Sequence, residues 1–277
     1  MIELGKKQEL TVIKKTDFGI YLGEEPGAAE RVLLPKKQVP EGTAAGDKLT
    51  VFVYRDSKDR LICTTQEPKV QLGGLAVLKV VQVGKIGAFL DWGLEKDLLL
   101  PFRQQTRRVR EGDQVLAALY IDKSSRLCAT MKVYHYLSTD SPYGKDDTVT
   151  GVIYEISQNF GVFVAVDYKY SAMIPRQEAQ GNYKPGDELT CRVTEVREDG
   201  KLTLSAKKKA YMQIHEDAQS VYEIIQDFDG VLPFDDKAEP QFIQREFGLS
   251  KNAFKRAVGH LLKEKKIELK DGKIYIL

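Results

Sequence analysis

Phe160-Gly161-Val162-Phe163, running on into Val164-Ala165-Val166, decides the fold of this chain, because the pattern occurs twice upstream as Phe18-Gly19-Ile20-Tyr21 and Ile86-Gly87-Ala88-Phe89. After each copy comes a short apolar segment ending in Pro35, Pro101 or Pro175, then a Gly-Asp turn (Gly46-Asp47, Gly112-Asp113, Gly186-Asp187) and two more strand-like runs. Repetition at a period of about 65–70 residues means one supersecondary unit used three times.

Thr148 to Ile156 reads as the first strand of the third copy and Gly161 to Val166 as the second. Alternation turns Val162, Val164 and Val166 inward and leaves Phe163 outside. The same parity puts Ile20 and Leu22 inside with Tyr21 out, and Ala88, Leu90 and Trp92 inside with Phe89 out. Phe160 lies three residues before Phe163, on the opposite face of a regular strand, but Gly161 permits a bulge or loop entry that brings the two rings together. After the Gly-Asp turns, Lys48–Val53, Val115–Tyr120 and Glu188–Val193 lead through charged turns at 56–60, 122–126 and 197–201 into a last strand. Five short strands with no helix to cover their edges are best satisfied by closing into a five-stranded OB barrel.

The periodicity becomes helical from His215, with Val221, Tyr222, Ile224, Ile225 and Phe228 on one face and Asp229-Gly230 as the stop. A short second helix follows Pro240 and ends at Gly248. Ser250 caps a third, from Lys251 to about Lys265, whose apolar face is Phe254, Ala257, Val258, Leu261 and Leu262. Asn252, Arg256, Gly259 and Lys263 fall on its outer face. A hairpin around Asp271-Gly272 closes the chain. Three helices and a hairpin make a winged helix-turn-helix. The expected fold class is therefore mainly β with a small α+β C-terminal domain: barrels over 1–69, 70–140 and 141–211, with Pro68–Gly74 and Ser138–Asp147 as linkers, then the winged helix over 212–277.

The 277 residues carry 42 basic and 40 acidic side chains, and the imbalance is local. Residues 70–140 hold 10 basic and 7 acidic groups, 212–250 hold 2 and 9, and 251–277 hold 8 and 3. Such patches suit a localised polyanion site rather than general coating of DNA. Arg103 to Arg110 packs Arg103, Arg107, Arg108 and Arg110 into the loop between the third and fourth strands of the second copy. These arginines either clamp phosphates or solvate the loop. Lys207-Lys208-Lys209 leaves the same two options open.

No apolar run approaches the roughly 20 residues of a spanning helix, and the first residues lack the apolar core of a signal peptide, so the expected location is cytoplasmic. Cys63, Cys128 and Cys191 are too dispersed for a disulfide frame or a CxxC site and read as buried thiols. His135, His215 and His260 have no Cys or carboxylate partner at metal-ligand spacing in the sequence, so no metal and no cofactor is expected. With no P-loop, GxSxG or HExxH, and Asp146-Asp147 and Asp235-Asp236 in polar loops, no enzyme is expected either.

Gly151-Val-Ile-Tyr-Glu-Ile156, Asn159-Phe-Gly-Val-Phe-Val164, Lys184-Pro-Gly-Asp187 and Lys201-Leu-Thr-Leu-Ser-Ala-Lys207 together resemble the S1-type RNA-binding OB repeat. That family's binding face carries two aromatics, a His near the third strand, and an Asp and an Arg around the last turn. The resemblance implies Phe160, Phe163 and Lys201, with Arg197 in place of the Asp, in the third copy. It implies Phe18, Tyr21, Asp56 and Arg60 in the first, and Phe89, Asp122 and Arg126 in the second. Leu34, Leu100 and Ile174 stand at the His position and Ile86 at one aromatic position, so no copy has the full set. Three barrels with this winged helix, whose last helix opens at Glu246-Phe-Gly-Leu-Ser-Lys-Asn-Ala-Phe-Lys-Arg256, resemble the bacterial conserved virulence factor B family over essentially the full length.

The resemblance implies an RNA-binding regulator that acts after transcription; the outward rings point to single-stranded RNA, the missing enzyme motifs to a non-catalytic protein, and the linkers and lack of coiled-coil heptads to a monomer. Its contacts would be Phe160, Phe163, Arg197 and Lys201; Phe18, Tyr21 and Arg60; and Phe89, Arg126, Arg107, Arg108 and Arg110. Asn252, Arg256 and Lys263 would offer a nucleic-acid contact on the winged helix. Two alternatives stay open: a transcription regulator holding duplex DNA with the winged helix, and a scaffold for ribosome-associated or RNA-processing proteins.

Overall fold

The computed structural model describes residues 1–56, 58–207 and 210–277, without the side chains of 210–213. Ser57 of the first charged turn and Lys208 and Lys209 of the basic run lie outside the described residues. The chain forms two compact units, 1–206 and 207–277.

The first unit holds three five-stranded barrels. The first is β1 (Lys7–Thr16), β2 (Gly19–Gly23), β3 (Val32–Pro35), β4 (Lys48–Arg55) and β5 (Leu61–Thr64), closed in the order β1-β2-β3-β5-β4. The second is β6 (Leu75–Val83), β7 (Gly87–Asp91), β8 (Leu98–Pro101), β9 (Gln114–Ile121) and β10 (Leu127–Thr130). Its β8 and β10 lie side by side without a ladder between them. The third, β11 (Thr148–Ser157), β12 (Gly161–Val166), β13 (Tyr170–Pro175), β14 (Glu188–Val196) and β15 (Leu202–Ser205), closes fully.

The repeated glycine has a steric cause. A Cβ on Gly161 would sit 2.1 Å from the Ile174 carbonyl oxygen, and one on Gly19 2.0 Å from that of Leu34. Only glycine lets the second strand start this close to the third, and φ of +126° at Gly161 also favours it. The inward residues expected from alternation are buried in all three barrels. Each first strand also carries a bulge that alternation does not reveal, between Val12 and Lys14, Val80 and Gln82, and Ile153 and Glu155.

The connections expected as linkers are bonded to the barrels. Leu72 N–H donates to Gly5 O at 2.8 Å and Gly73 N–H to Leu119 O at 2.9 Å, while Ser138 N–H donates to Lys169 O at 2.7 Å and Ser138 O accepts from Ser171 N–H at 2.9 Å. Backbone groups that run between packed barrels need such partners. A short 3₁₀ helix, Val133–Tyr136, carries the chain from the second barrel to the third.

In the second unit, α1 (Ala210–Asp227) starts five residues before His215, the expected onset. α2 (Pro240–Phe247) ends at Gly248, whose φ is +66°, and α3 (Lys251–Lys263) is capped by the Ser250 hydroxyl, which accepts from Ala253 N–H at 3.3 Å. β17 (Ile267–Lys270) and β18 (Lys273–Ile276) form the hairpin, and β16 (Val231–Leu232), absent from the sequence reading, adds a third strand beside β18. Val221, Ile225, Ile243, Phe254 and Leu261 fill the core.

Candidate nucleic-acid interface

On the third barrel, Phe160 enters from the loop before β12 and is 65% exposed, while Phe163 on β12 is half-buried. Gly161 turns the chain so that both rings line one groove of about 450 Å³, together with Tyr134, Tyr154, Met173, Arg197 and Lys201. Tyr154 owes its place to the bulge: with Ile153 paired to Val164 and Glu155 to Phe163, it is the extra residue, and its ring lies 6.0 Å from that of Phe163. Burial pushes its phenol pKa well above the ordinary value, and its hydroxyl meets no partner among the described residues.

Tyr134 belongs to the 3₁₀ helix rather than to the barrel, and the Lys201 ammonium stands 5.6 Å from its ring centre. At the lip, Asp199 accepts from Lys201 at 2.8 Å and lies 3.5 Å from Arg197. The Lys201 hydrogen bond, with burial opposing it, holds the Asp199 carboxyl below its ordinary range, and the hydrogen bonds of Lys201 to Asp199 and to Tyr134 raise the Lys201 ammonium. One carboxylate thus faces two cations at the lip, and Glu155 also lines the groove beside the four aromatic rings.

The matching positions elsewhere differ. Phe18 is 79% exposed, and the Arg31 guanidinium covers the half-buried Tyr21 at 5.5 Å. Arg60 pairs with Asp56 at 2.7 Å, and Asp56 also accepts the backbone N–H groups of Lys58 and Arg60. Phe89 lines a smaller recess of about 220 Å³ with Tyr54, Trp92 and Arg126. Arg126 reaches across to Asp59 of the first barrel at 3.0 Å, and Asp122 caps its own turn by accepting from Ser124 and Arg126 N–H. In the basic loop Arg108 and Arg110 are exposed. Arg107 is tied to Asp113 at 2.9 Å, contrary to an arrangement of free phosphate clamps. Asn252, Arg256 and Lys263 all face outward from α3.

Sequence reasoning missed Tyr134, Tyr154 and Asp199. Tyr154 lies within the quoted Gly151-Val-Ile-Tyr-Glu-Ile156 segment and becomes legible as a groove residue once a bulge is allowed there; Tyr134 has no signal within the repeat. The histidine expectation also needs correcting. His215 and His260 meet at 3.4 Å, and Glu264, four residues on from His260, lies 3.2 Å from it.

The sequence matches the S1 domain over residues 4–66 and 72–132, the S1 RNA binding domain over 143–207 and the CvfB-like winged helix domain over 219–276. These are nucleic-acid-binding and winged helix families rather than enzyme families. Uncharacterized protein YitL of Bacillus subtilis is 28% identical over 98% of this chain and 93% of its own length. Conserved virulence factor B of Staphylococcus saprophyticus is 29% identical over 83% of this chain and 79% of its own, and that of Staphylococcus aureus 26% over the same shares. A crystal structure of a multidomain protein with nucleic acid binding domains from Streptococcus pneumoniae shares the fold, with a TM-score of 0.51 at 24% identity over 99% of this chain and 98% of that one. The chain thus combines S1 domains with a CvfB-like winged helix domain and is similar over most of its length to proteins named conserved virulence factor B.

Proposed function

We propose that this protein binds single-stranded RNA through the groove of its third barrel and acts as a non-catalytic, post-transcriptional regulator in the cytoplasm. One observation carries the reading: four aromatic rings and two cations converge on a groove in which the Tyr154 hydroxyl is buried without a partner. An unpaired base can stack on Phe160 and Phe163, its edge can satisfy that hydroxyl, and Arg197 and Lys201 can hold the adjoining phosphates. Duplex nucleic acid cannot do this, because its bases are already stacked and paired. Phe18 and Tyr21 of the first barrel, and Phe89 with the exposed Arg108 and Arg110 of the second, add weaker contacts.

The match to the S1 RNA binding domain supports RNA binding by the third barrel. No helix among the described residues is long and apolar enough to cross a membrane, which is compatible with the cytoplasmic assignment. Fluorescence anisotropy with poly-U, duplex RNA and duplex DNA tests the reading. Single-stranded RNA should bind tightest, and replacing Phe160 and Phe163 together by Ala should weaken it at least tenfold, each stacked base contributing about 1–3 kcal/mol. Unchanged affinity in that variant would remove the groove from the function.

A further inference from the structure

Two helices of the second unit bring three donor atoms together. His215 on α1 places Nδ1 3.4 Å from Nε2 of His260 on α3. The same Nε2 lies 3.2 Å from Oε1 of Glu264, the residue that caps α3. All three donors lie within 4.8 Å of one another. The other Glu264 oxygen accepts from Lys266 at 2.9 Å, which fixes the carboxylate beside His260.

Hydrogen bonding alone serves this cluster poorly. An imidazole nitrogen has one in-plane position, filled either by a hydrogen or by a lone pair, yet His260 Nε2 faces both a second ring nitrogen and a carboxylate. A single hydrogen there cannot point at both. A cation at the point where three lone pairs meet satisfies all of them. Ligands about 2.0–2.1 Å from a tetrahedral ion stand about 3.3–3.4 Å apart, close to the two short separations seen here.

We propose that His215, His260 and Glu264 form a binding site for a divalent transition-metal ion, with Zn²⁺ the best match to two imidazoles and a carboxylate and water filling the fourth position. The ion ties α1 to α3 and thereby fixes the helix that presents Asn252, Arg256 and Lys263. The thiols offer little competition. Burial pushes Cys63 up to about 12 and Cys128 and Cys191 up to about 11, so all three stay protonated at neutral pH. The remaining histidine, His135, lies in the first unit.

The test uses the full chain, stripped with EDTA and titrated with Zn²⁺ against a chromophoric chelator. One ion per chain is expected, with uptake weakened at least tenfold by His215→Ala, His260→Ala or Glu264→Gln and unchanged by His135→Ala. The three ligand side chains are exposed or half-exposed, and circular dichroism checks that each variant folds. Absence of uptake, or wild-type affinity in any one of the three ligand variants, overturns the site. Cobalt(II) supplies a readout on the wild-type chain alone: the intense visible bands of a four-coordinate ion support the geometry, and the weak bands of a six-coordinate ion refute it.

Discussion

At the junction of the first two barrels Phe52 and Tyr54 close on Trp92, with ring centres 5.7 and 6.3 Å apart, and Arg126 closes on Asp59. On the third barrel Phe160 and Tyr134 stay open to solvent, and Arg197 and Lys201 share the single carboxylate of Asp199. Both regions are rich in aromatic and cationic side chains. What separates them is whether a neighbouring barrel has already taken the partner's place. Recognition depends on groups left with unmet valence, so an aromatic residue at a repeat position is informative only after its neighbours are known.

Substitutions should divide along that line. Trp92 is buried across the junction, and Trp92→Ala should cost about 3–5 kcal/mol in urea unfolding of the first unit. Phe160→Ala, at an exposed position, should stay within about 0.5 kcal/mol of wild type. If both proved equally destabilising, the groove rings would be structural and the contrast would fail. For RNA affinity the order reverses within the exposed set. Phe160→Ala should lose about 1–3 kcal/mol, and Phe18→Ala, on the first barrel, about 1 kcal/mol or less.

The cations give a smaller but cleaner comparison. Each phosphate contact on a single strand adds about 0.7 to the slope of log affinity against log salt. Lys201→Ala should lower that slope by about this amount, and Arg126→Ala should leave it unchanged, since Arg126 is engaged with Asp59. Loss of the exposed Arg126–Asp59 pair should cost about 0–1 kcal/mol of stability. A fall in slope for Arg126→Ala would show that RNA can take the arginine from its carboxylate.

Local rules carried the strands, the Pro and Gly-Asp punctuation, the inward parity and the winged helix, because each follows from contacts a few residues apart. Gly161 is an instance: its need for a close approach to β13 is written into the repeat. The groove's other walls are not local. Tyr154 faces it through a one-residue shift in pairing, and Tyr134 arrives from a neighbouring segment 26 residues before Phe160. His215 and His260 stand 45 residues apart and meet only when α1 packs on α3. Asp59 and Arg126, 67 residues apart, pair only when two barrels dock.

The basic loop of the second barrel tests whether an arginine held by the fold can be returned to binding. Asp113 accepts from Arg110 N–H at 3.0 Å and from Arg107 at 2.9 Å. The Arg110 N–H, opposed by burial and aided by Arg107, holds its carboxyl below the usual range. Because the folded value is depressed, the stabilisation is fully present above the unfolded carboxyl's pKa of about 3.9 and disappears as pH falls through the lower folded value. Asp113→Asn keeps an acceptor for Arg110 and removes only the charge. Its deficit in urea midpoint should therefore be seen at pH 7, correspond to less than about 1 kcal/mol for a group this accessible, and close as pH falls through that lower folded value. A deficit independent of pH would mean that shape rather than charge holds the loop. The same variant frees the Arg107 guanidinium, so a gain in single-stranded RNA affinity at pH 7 would convert this loop from a fixed element into a phosphate contact, and no gain would leave binding to the third barrel.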